Sequence, residues 1–130
     1  MIRIKRTYEA AAREDGRRIL VERLWPRGMT KESLAADAWM KEVAPSTGLR
    51  KWFGHRAERW EEFQRRYREE LDSKPEVWEP IAQAAKRENL TLLYSARDTL
   101  HNGALALREY LIGRRGPGSR RKLEGRKGGK

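Results

Sequence analysis

Cysteine is absent from the 130 residues of this chain, which removes a disulfide framework, a thiolate metal site and a cysteine nucleophile at one stroke. Histidine is almost as scarce. His55 and His101 are the whole supply, too few for a histidine-built zinc site unless carboxylates furnish most of the ligands. No metal site is expected, and the residues leave any cofactor unknown. No apolar run approaches the roughly 18 to 20 residues that span a bilayer. The start, Met1-Ile2-Arg3-Ile4-Lys5-Arg6, alternates charge with apolar groups instead of forming a signal-peptide core. The expectation is a cytoplasmic protein with no membrane partner. A Gly-x-Ser-x-Gly elbow, a Gly-rich phosphate loop and a dinucleotide fingerprint are also missing, so serine hydrolase, P-loop and nicotinamide-enzyme readings lack support.

Positive charge is what the chain has in excess: 30 Lys and Arg against 19 Asp and Glu, a net of +11. The excess is uneven. Residues 113 to 130 hold eight basic residues against Glu124, a net of +7, while the remainder carries 22 basic against 18 acidic, or +4. That end also contains six Gly and one apolar residue, Leu123, so little burial offsets the entropy of ordering it. The length suits a single domain. The expected organisation is one domain over residues 1 to 112 and a disordered basic tail over 113 to 130.

Ile2 and Ile4 alternate with Arg3, Lys5 and Arg6, the period of two that predicts a strand over residues 2 to 6. Ile19-Leu20-Val21-Glu22-Arg23-Leu24 starts with an unbroken apolar run, as in a strand covered on both faces. Trp25-Pro26-Arg27-Gly28 then ends it, because proline removes a ladder donor. Residues 34 to 43 fit a short helix or a strand equally well, and periodicity leaves both open. Trp60, Phe63, Tyr67 and Leu71 form one stripe of an amphipathic helix over 56 to 72. Ser73 and Glu76 read as a capping box for a further helix reaching about Asn89, with Pro80 either kinking it or starting a new one. Thr91-Leu92-Leu93-Tyr94-Ser95 reads as a strand. A helix carrying Leu100, Ala104, Leu107 and Leu111 follows, with Asp98 or Thr99 as its N-cap. Strands separated by helices predict an α/β fold: a small single domain with a mainly parallel sheet flanked by helices.

Val21-Glu22-Arg23-Leu24-Trp25-Pro26-Arg27-Gly28, Ala44-Pro45-Ser46, Leu49-Arg50-Lys51-Trp52-Phe53-Gly54-His55 and Ser95-Ala96-Arg97-Asp98 with His101-Asn102 together resemble the YeaO-like family of small prokaryotic domains of unknown function. The likeness spans residues 1 to about 112, and its motifs occur in the family's order. Glu22 stands where the family usually has Asp. The resemblance implies a compact cytosolic α/β domain and brings no established activity with it.

In open α/β sheets, ligands bind beyond the carboxyl ends of the strands. Arg23, Trp25 and Arg27 follow the second strand; Ser95, Arg97, Asp98, His101 and Asn102 follow the last. If these strands are parallel neighbours, Arg23, Arg27 and Arg97 converge near the last helix N-terminus, with Ser95 and Asn102 beside them. That describes a pocket for a small phosphate-bearing or carboxylate-bearing ligand, with Trp25 or Trp52 as a stacking face. His101, in the first turn of the helix, is the candidate proton-transfer group. The competing expectation is that Arg23 pairs with Asp98 or Glu22, and that these residues only cap and brace the fold. Sequence leaves both open, and with them whether there is a reaction at all. Ser46 after Pro45 reads as a turn initiator. The basic tail suggests nucleic acid as a second partner, attached electrostatically and without base stacking, since the tail has no aromatic residue.

Overall fold

A computed structural model describes residues 1–114. Strands β1 (Ile2–Arg6), β2 (Arg17–Leu20), β3 (Ala38–Trp39) and β4 (Leu90–Tyr94) form one sheet in the order β1-β4-β2-β3, every neighbouring pair parallel. Ile2 lies opposite Leu90 and Arg6 opposite Tyr94, while Ile19 faces Leu92 and Ala38. Five helices surround the sheet: α1 (Lys31–Leu34), α2 (Thr47–Phe53), α3 (Trp60–Asp72), α4 (Pro75–Ala85) and α5 (Gly103–Arg114). The expected α/β class and mainly parallel sheet are therefore present. Of the tail expected from residue 113, Gly113 and Arg114 close α5, and residues 115 to 130 lie outside the described residues, and with them the expectation of disorder. Among the described residues no helix is long and apolar enough to cross a membrane.

The period of two along the strands divides the core. Ile2, Ile19, Leu90, Leu92 and Tyr94 point into the larger cluster, with Phe53, Phe63, Tyr67, Leu71, Ile81 and Leu107 from the helices. Leu20 and Leu93 point the other way, onto Leu34, with Trp25, Met29 and Ala36 packed around them. Two layers thus enclose the central strand β4, all five residues of which are buried, as expected of a strand covered on both faces.

The first strand and the last lie where the alternation places them, the last one residue earlier than expected. The second does not: β2 covers 17–20 instead of 19–24. Its start reads as loop because Arg18 is charged, yet Arg18 is buried, paired with Asp15 at 2.6 Å and donating to the carbonyls of Leu34 and Ala35. Gly16 makes this entry feasible. Its φ is +65°, and a Cβ there would strike the Asn89 carbonyl, the group that accepts from the Arg17 amide at 3.0 Å. Residues 34 to 43 are neither one helix nor one strand; they divide between the end of α1, β3 and a 3-10 turn at Lys41–Val43.

The long amphipathic helix begins at Trp60, after a 3-10 turn at Ala57–Arg59, rather than at 56. Glu62 on its exposed face is drawn down to about 2 by hydrogen bonds from Arg65 and Arg66. The expected capping box at Ser73 is absent. Ser73 instead closes α3, its hydroxyl donating to the Glu70 carbonyl at 2.8 Å, and α4 opens on Pro75, where a missing N–H costs nothing. Pro80 stands inside the continuous α4. Ser46 is a helix cap, not merely a turn former: its hydroxyl oxygen accepts from the Leu49 amide at 3.1 Å while its own amide and hydroxyl donate to Glu70.

Candidate functional site

Because all four strands run parallel, the segments following Arg6, Leu20, Trp39 and Tyr94 share one edge of the sheet. Three of these segments are tied together by Arg6 and Tyr8. Arg6 donates from Nε to the Ala96 carbonyl at 2.9 Å and from Nη2 to the Ser95 carbonyl at 3.2 Å. Its guanidinium lies 5.2 Å from the centre of the Tyr8 ring, within range of a cation–π contact. The Tyr8 hydroxyl donates to the Arg27 carbonyl at 3.0 Å. The continuous path runs from the loop after β4, through the end of β1, to the loop after β2.

Most of the expected site residues are engaged in this bracing. Arg23 donates from Nε to the Pro45 carbonyl at 3.0 Å and from Nη2 to that of Ala44 at 3.3 Å, with Glu42 3.6 Å away. Neither Asp98 nor Glu22 is its partner. Glu22 instead accepts from the Ser95 amide at 2.9 Å and its hydroxyl at 2.8 Å. Asn102, buried, is the true cap of α5, its side-chain oxygen accepting from the Leu105 amide at 2.8 Å. That corrects the placement of the cap at Asp98 or Thr99, and it leaves His101 just ahead of the helix rather than in its first turn. Asp98 folds the loop before the helix, accepting from the amides of Leu100 and His101.

Two arginines remain. Arg27 and Arg97 are exposed, and among the described residues neither side chain has a hydrogen bond, ion pair or ring contact. They sit on the two loops that Arg6 and Tyr8 connect. His101 is held by Asp98, with Nδ1 2.9 Å from the carboxylate, and its ring meets Trp60 edge-on at 5.4 Å. The histidine hydrogen bond keeps the Asp98 carboxyl below the usual carboxylate range. With Nδ1 committed to the carboxylate, Nε2 is the remaining polar atom of the ring. No further titratable side chain bonds to His101 among the described residues.

Trp25 is half-buried, its indole N–H donating to Met29. Trp52 lies between the guanidiniums of Arg59 and Arg66, at 4.9 and 4.3 Å from its ring centre. Sequence reasoning missed Arg6 and Tyr8, because Arg6 reads as the end of the first strand and Tyr8 falls just beyond it. A Tyr two residues beyond a strand that ends in Arg was the available signal. Thr7 between them is buried, and its hydroxyl has no hydrogen-bond partner. Among the described residues no cluster of three or more His, Asp or Glu side chains is placed to hold a metal ion.

The family described as "Inactive DUF488-N3 subclade" matches residues 1–117. The chain belongs to that family. It is 46% identical over 110 residues to the uncharacterized protein YeaO of Escherichia coli (strain K12), covering 85% of this chain and 96% of that one. The uncharacterized proteins Rv3073c of Mycobacterium tuberculosis (strain ATCC 25618 / H37Rv) and Mb3100c of Mycobacterium bovis (strain ATCC BAA-935 / AF2122/97) are each 37% identical over 113 residues, 87% of this chain and 95% of theirs. The expected YeaO-like membership is therefore shown, and the function of these relatives is not established. No solved structure matches the DUF488-N3 chain described here.

Proposed function

We propose that the carboxyl edge of the sheet is a binding face for a small phosphate-bearing or carboxylate-bearing ligand, held by Arg27 and Arg97. One observation carries this reading: two exposed guanidiniums stay unpaired on loops that are fixed to one another, while Arg23, Ser95, Asn102 and Glu22 around them are satisfied by internal bonds. Unpaired Arg forks on fixed loops suit bidentate contact with phosphate or carboxylate, because no existing ion pair must break and the loops need not rearrange when the ligand arrives. Arg23 and Ser95 shape the loops, and Asn102 fixes the start of α5. His101 offers Nε2 as a polar contact. The word "inactive" in the family description favours binding over turnover.

The test is thermal unfolding of the full chain with pyrophosphate, inorganic phosphate and citrate at constant ionic strength. A ligand at about 100 times its Kd stabilises the native state by about 2.7 kcal/mol. The expected result is a rise in Tm that disappears in Arg27→Ala/Arg97→Ala. Equal stabilisation of wild type and variant, or none in either, overturns the reading.

The net charge of +7 over residues 113 to 130 supports a second reading, electrostatic attachment of nucleic acid by the tail. On that reading affinity falls steeply with salt, and neutralising the tail removes binding whatever stands at positions 27 and 97.

A further inference from the structure

Among the described residues five large apolar side chains are well exposed: Met1, Tyr8, Leu24, Trp39 and Leu100. All but Met1 come from the carboxyl edge of the sheet, one from each strand end. Tyr8 follows β1, Leu24 follows β2, Trp39 ends β3 and Leu100 follows β4. In the order β1-β4-β2-β3, with strands about 4.8 Å apart, the strand ends that these residues follow extend over roughly 14 Å. The two aromatic members are anchored by their own polar atoms, the Tyr8 hydroxyl to Arg27 at 3.0 Å and the Trp39 indole N–H to the Glu22 carbonyl at 2.6 Å. Each also has a cation over its ring, Arg6 at 5.2 Å and Lys41 at 4.3 Å. Yet Tyr8 remains 47% exposed and Trp39 37%.

We infer that the edge accommodates an unpaired nucleic-acid strand, its phosphates on Arg27 and Arg97 and its bases against Tyr8 and Trp39. The inference rests on the anion-binding reading of the same edge and extends its phosphate-bearing ligand from a small molecule to a strand. Rings held in place yet still partly exposed are suited to stacking, because their rotamer freedom is already lost; Lys41 and the edge-on Trp25 at 5.3 Å cover part of Trp39, and Arg6 covers part of Tyr8. Cations beside such rings match the alternation of base and phosphate along a single strand. A duplex would not use the rings, since its base faces are covered. Charge agrees with this occupant. Four carboxylates here, Glu9, Glu22, Glu42 and Asp98, keep their charge, but each is directed at a partner within the fold, and they stand against the five cations Arg6, Arg23, Arg27, Lys41 and Arg97. The two free guanidiniums have no such partner. The basic end of this chain cannot be the occupant, because like charges would meet, whereas a polyanion could engage both.

The experiment is fluorescence anisotropy of the full chain with a labelled 12-nucleotide oligo-dT, its oligo-U counterpart and a 12-base-pair duplex. The variants are Tyr8→Leu, Trp39→Leu and a chain with Arg120, Arg121, Lys122, Arg126 and Lys127 changed to Gln, each checked for native circular dichroism. The expected result is tighter binding to single strands than to duplex, weakened roughly tenfold by each aromatic substitution, as for loss of one stacked base. The tail variant should bind more weakly, with a shallower salt slope, and still respond to Tyr8→Leu. Pyrophosphate stabilisation should survive Trp39→Leu and fall in Tyr8→Leu, which also removes the hydroxyl that holds the Arg27 loop. Single-strand binding that is absent, or unchanged by both aromatic substitutions, overturns the inference. If pyrophosphate still stabilises the chain then, the anion-binding reading stands by itself; if pyrophosphate also fails, both fall.

Discussion

The hydroxyl of Tyr8 donates to the carbonyl of Arg27 at 3.0 Å, joining the end of the first strand to a loop that departs from the second. Since β4 lies between those strands, this bond crosses the edge of the sheet, and it sets where the Arg27 loop sits relative to Arg97.

Tyr8→Phe removes that bond and leaves the ring. The expected loss of stability is about 0.5–1.5 kcal/mol or less, the net worth of a single hydrogen bond. The stabilisation by pyrophosphate should shrink by more than that loss accounts for, because the Arg27 loop is no longer held. Melting the two proteins with and without pyrophosphate measures both effects.

Asp15 organises the entry to β2. Its buried carboxylate accepts from the Ala12 amide at 2.9 Å, from Lys5 at 3.1 Å and from Arg18 at 2.6 Å. Burial acts to raise its pKa, but these three donors outweigh burial and the net shift is downward. A depressed folded pKa contributes stability that is fully present above the unfolded value of about 3.9 and is lost as pH falls through the folded value. Asp15→Asn leaves the buried Arg18 guanidinium without its countercharge, an expected cost of about 3–5 kcal/mol. Urea unfolding at pH 7 checks that cost, and the gap between variant and wild type should narrow below about pH 4.

Gly16→Ala should be severe for a steric reason. At φ +65° the new Cβ meets the Asn89 carbonyl, with the carbonyl carbon at 2.8 Å, and the bond from the Arg17 amide to Asn89 must yield. The expected outcome is a loss well beyond the roughly 1 kcal/mol typical of point substitutions, read as a lowered urea midpoint with m unchanged.

Asn102→Ala tests which residue caps α5. The side-chain oxygen of Asn102 accepts from Leu105 and its amide nitrogen donates to the Asp98 carbonyl at 3.0 Å. Loss of the cap should cost about 1–2 kcal/mol, more than Asp98→Ala, whose carboxylate serves the loop ahead of the helix. The reverse order in chemical denaturation would return the cap to Asp98.

The parts of the fold legible in the sequence are those where one period persists over a whole element. Ile2 and Ile4 mark β1, and Trp60, Phe63, Tyr67 and Leu71 mark α3. β2 was misplaced because its first buried side chain is Arg18, whose burial depends on Asp15 and on two carbonyls near residue 35. Hydropathy cannot register such a partnership. Residues 34 to 43 contain pieces of two to four residues, too short for a period to repeat. At the edge, sequence marked the right loops but not which cations stay free. Arg23 and Arg27 look alike in the chain, and only tertiary contact with Ala44 and Pro45 separates them.

The most direct test of the edge as the binding face is a pyrophosphate titration of the full-length, nitrogen-15-labelled chain, followed amide by amide by two-dimensional NMR. The expected result is saturable shifts concentrated at Tyr8, Arg27, Gly28 and Arg97, abolished in Arg27→Ala/Arg97→Ala. Shifts confined to residues 113 to 130, or scattered over α3 and α4 while the edge amides stay still, would contradict it.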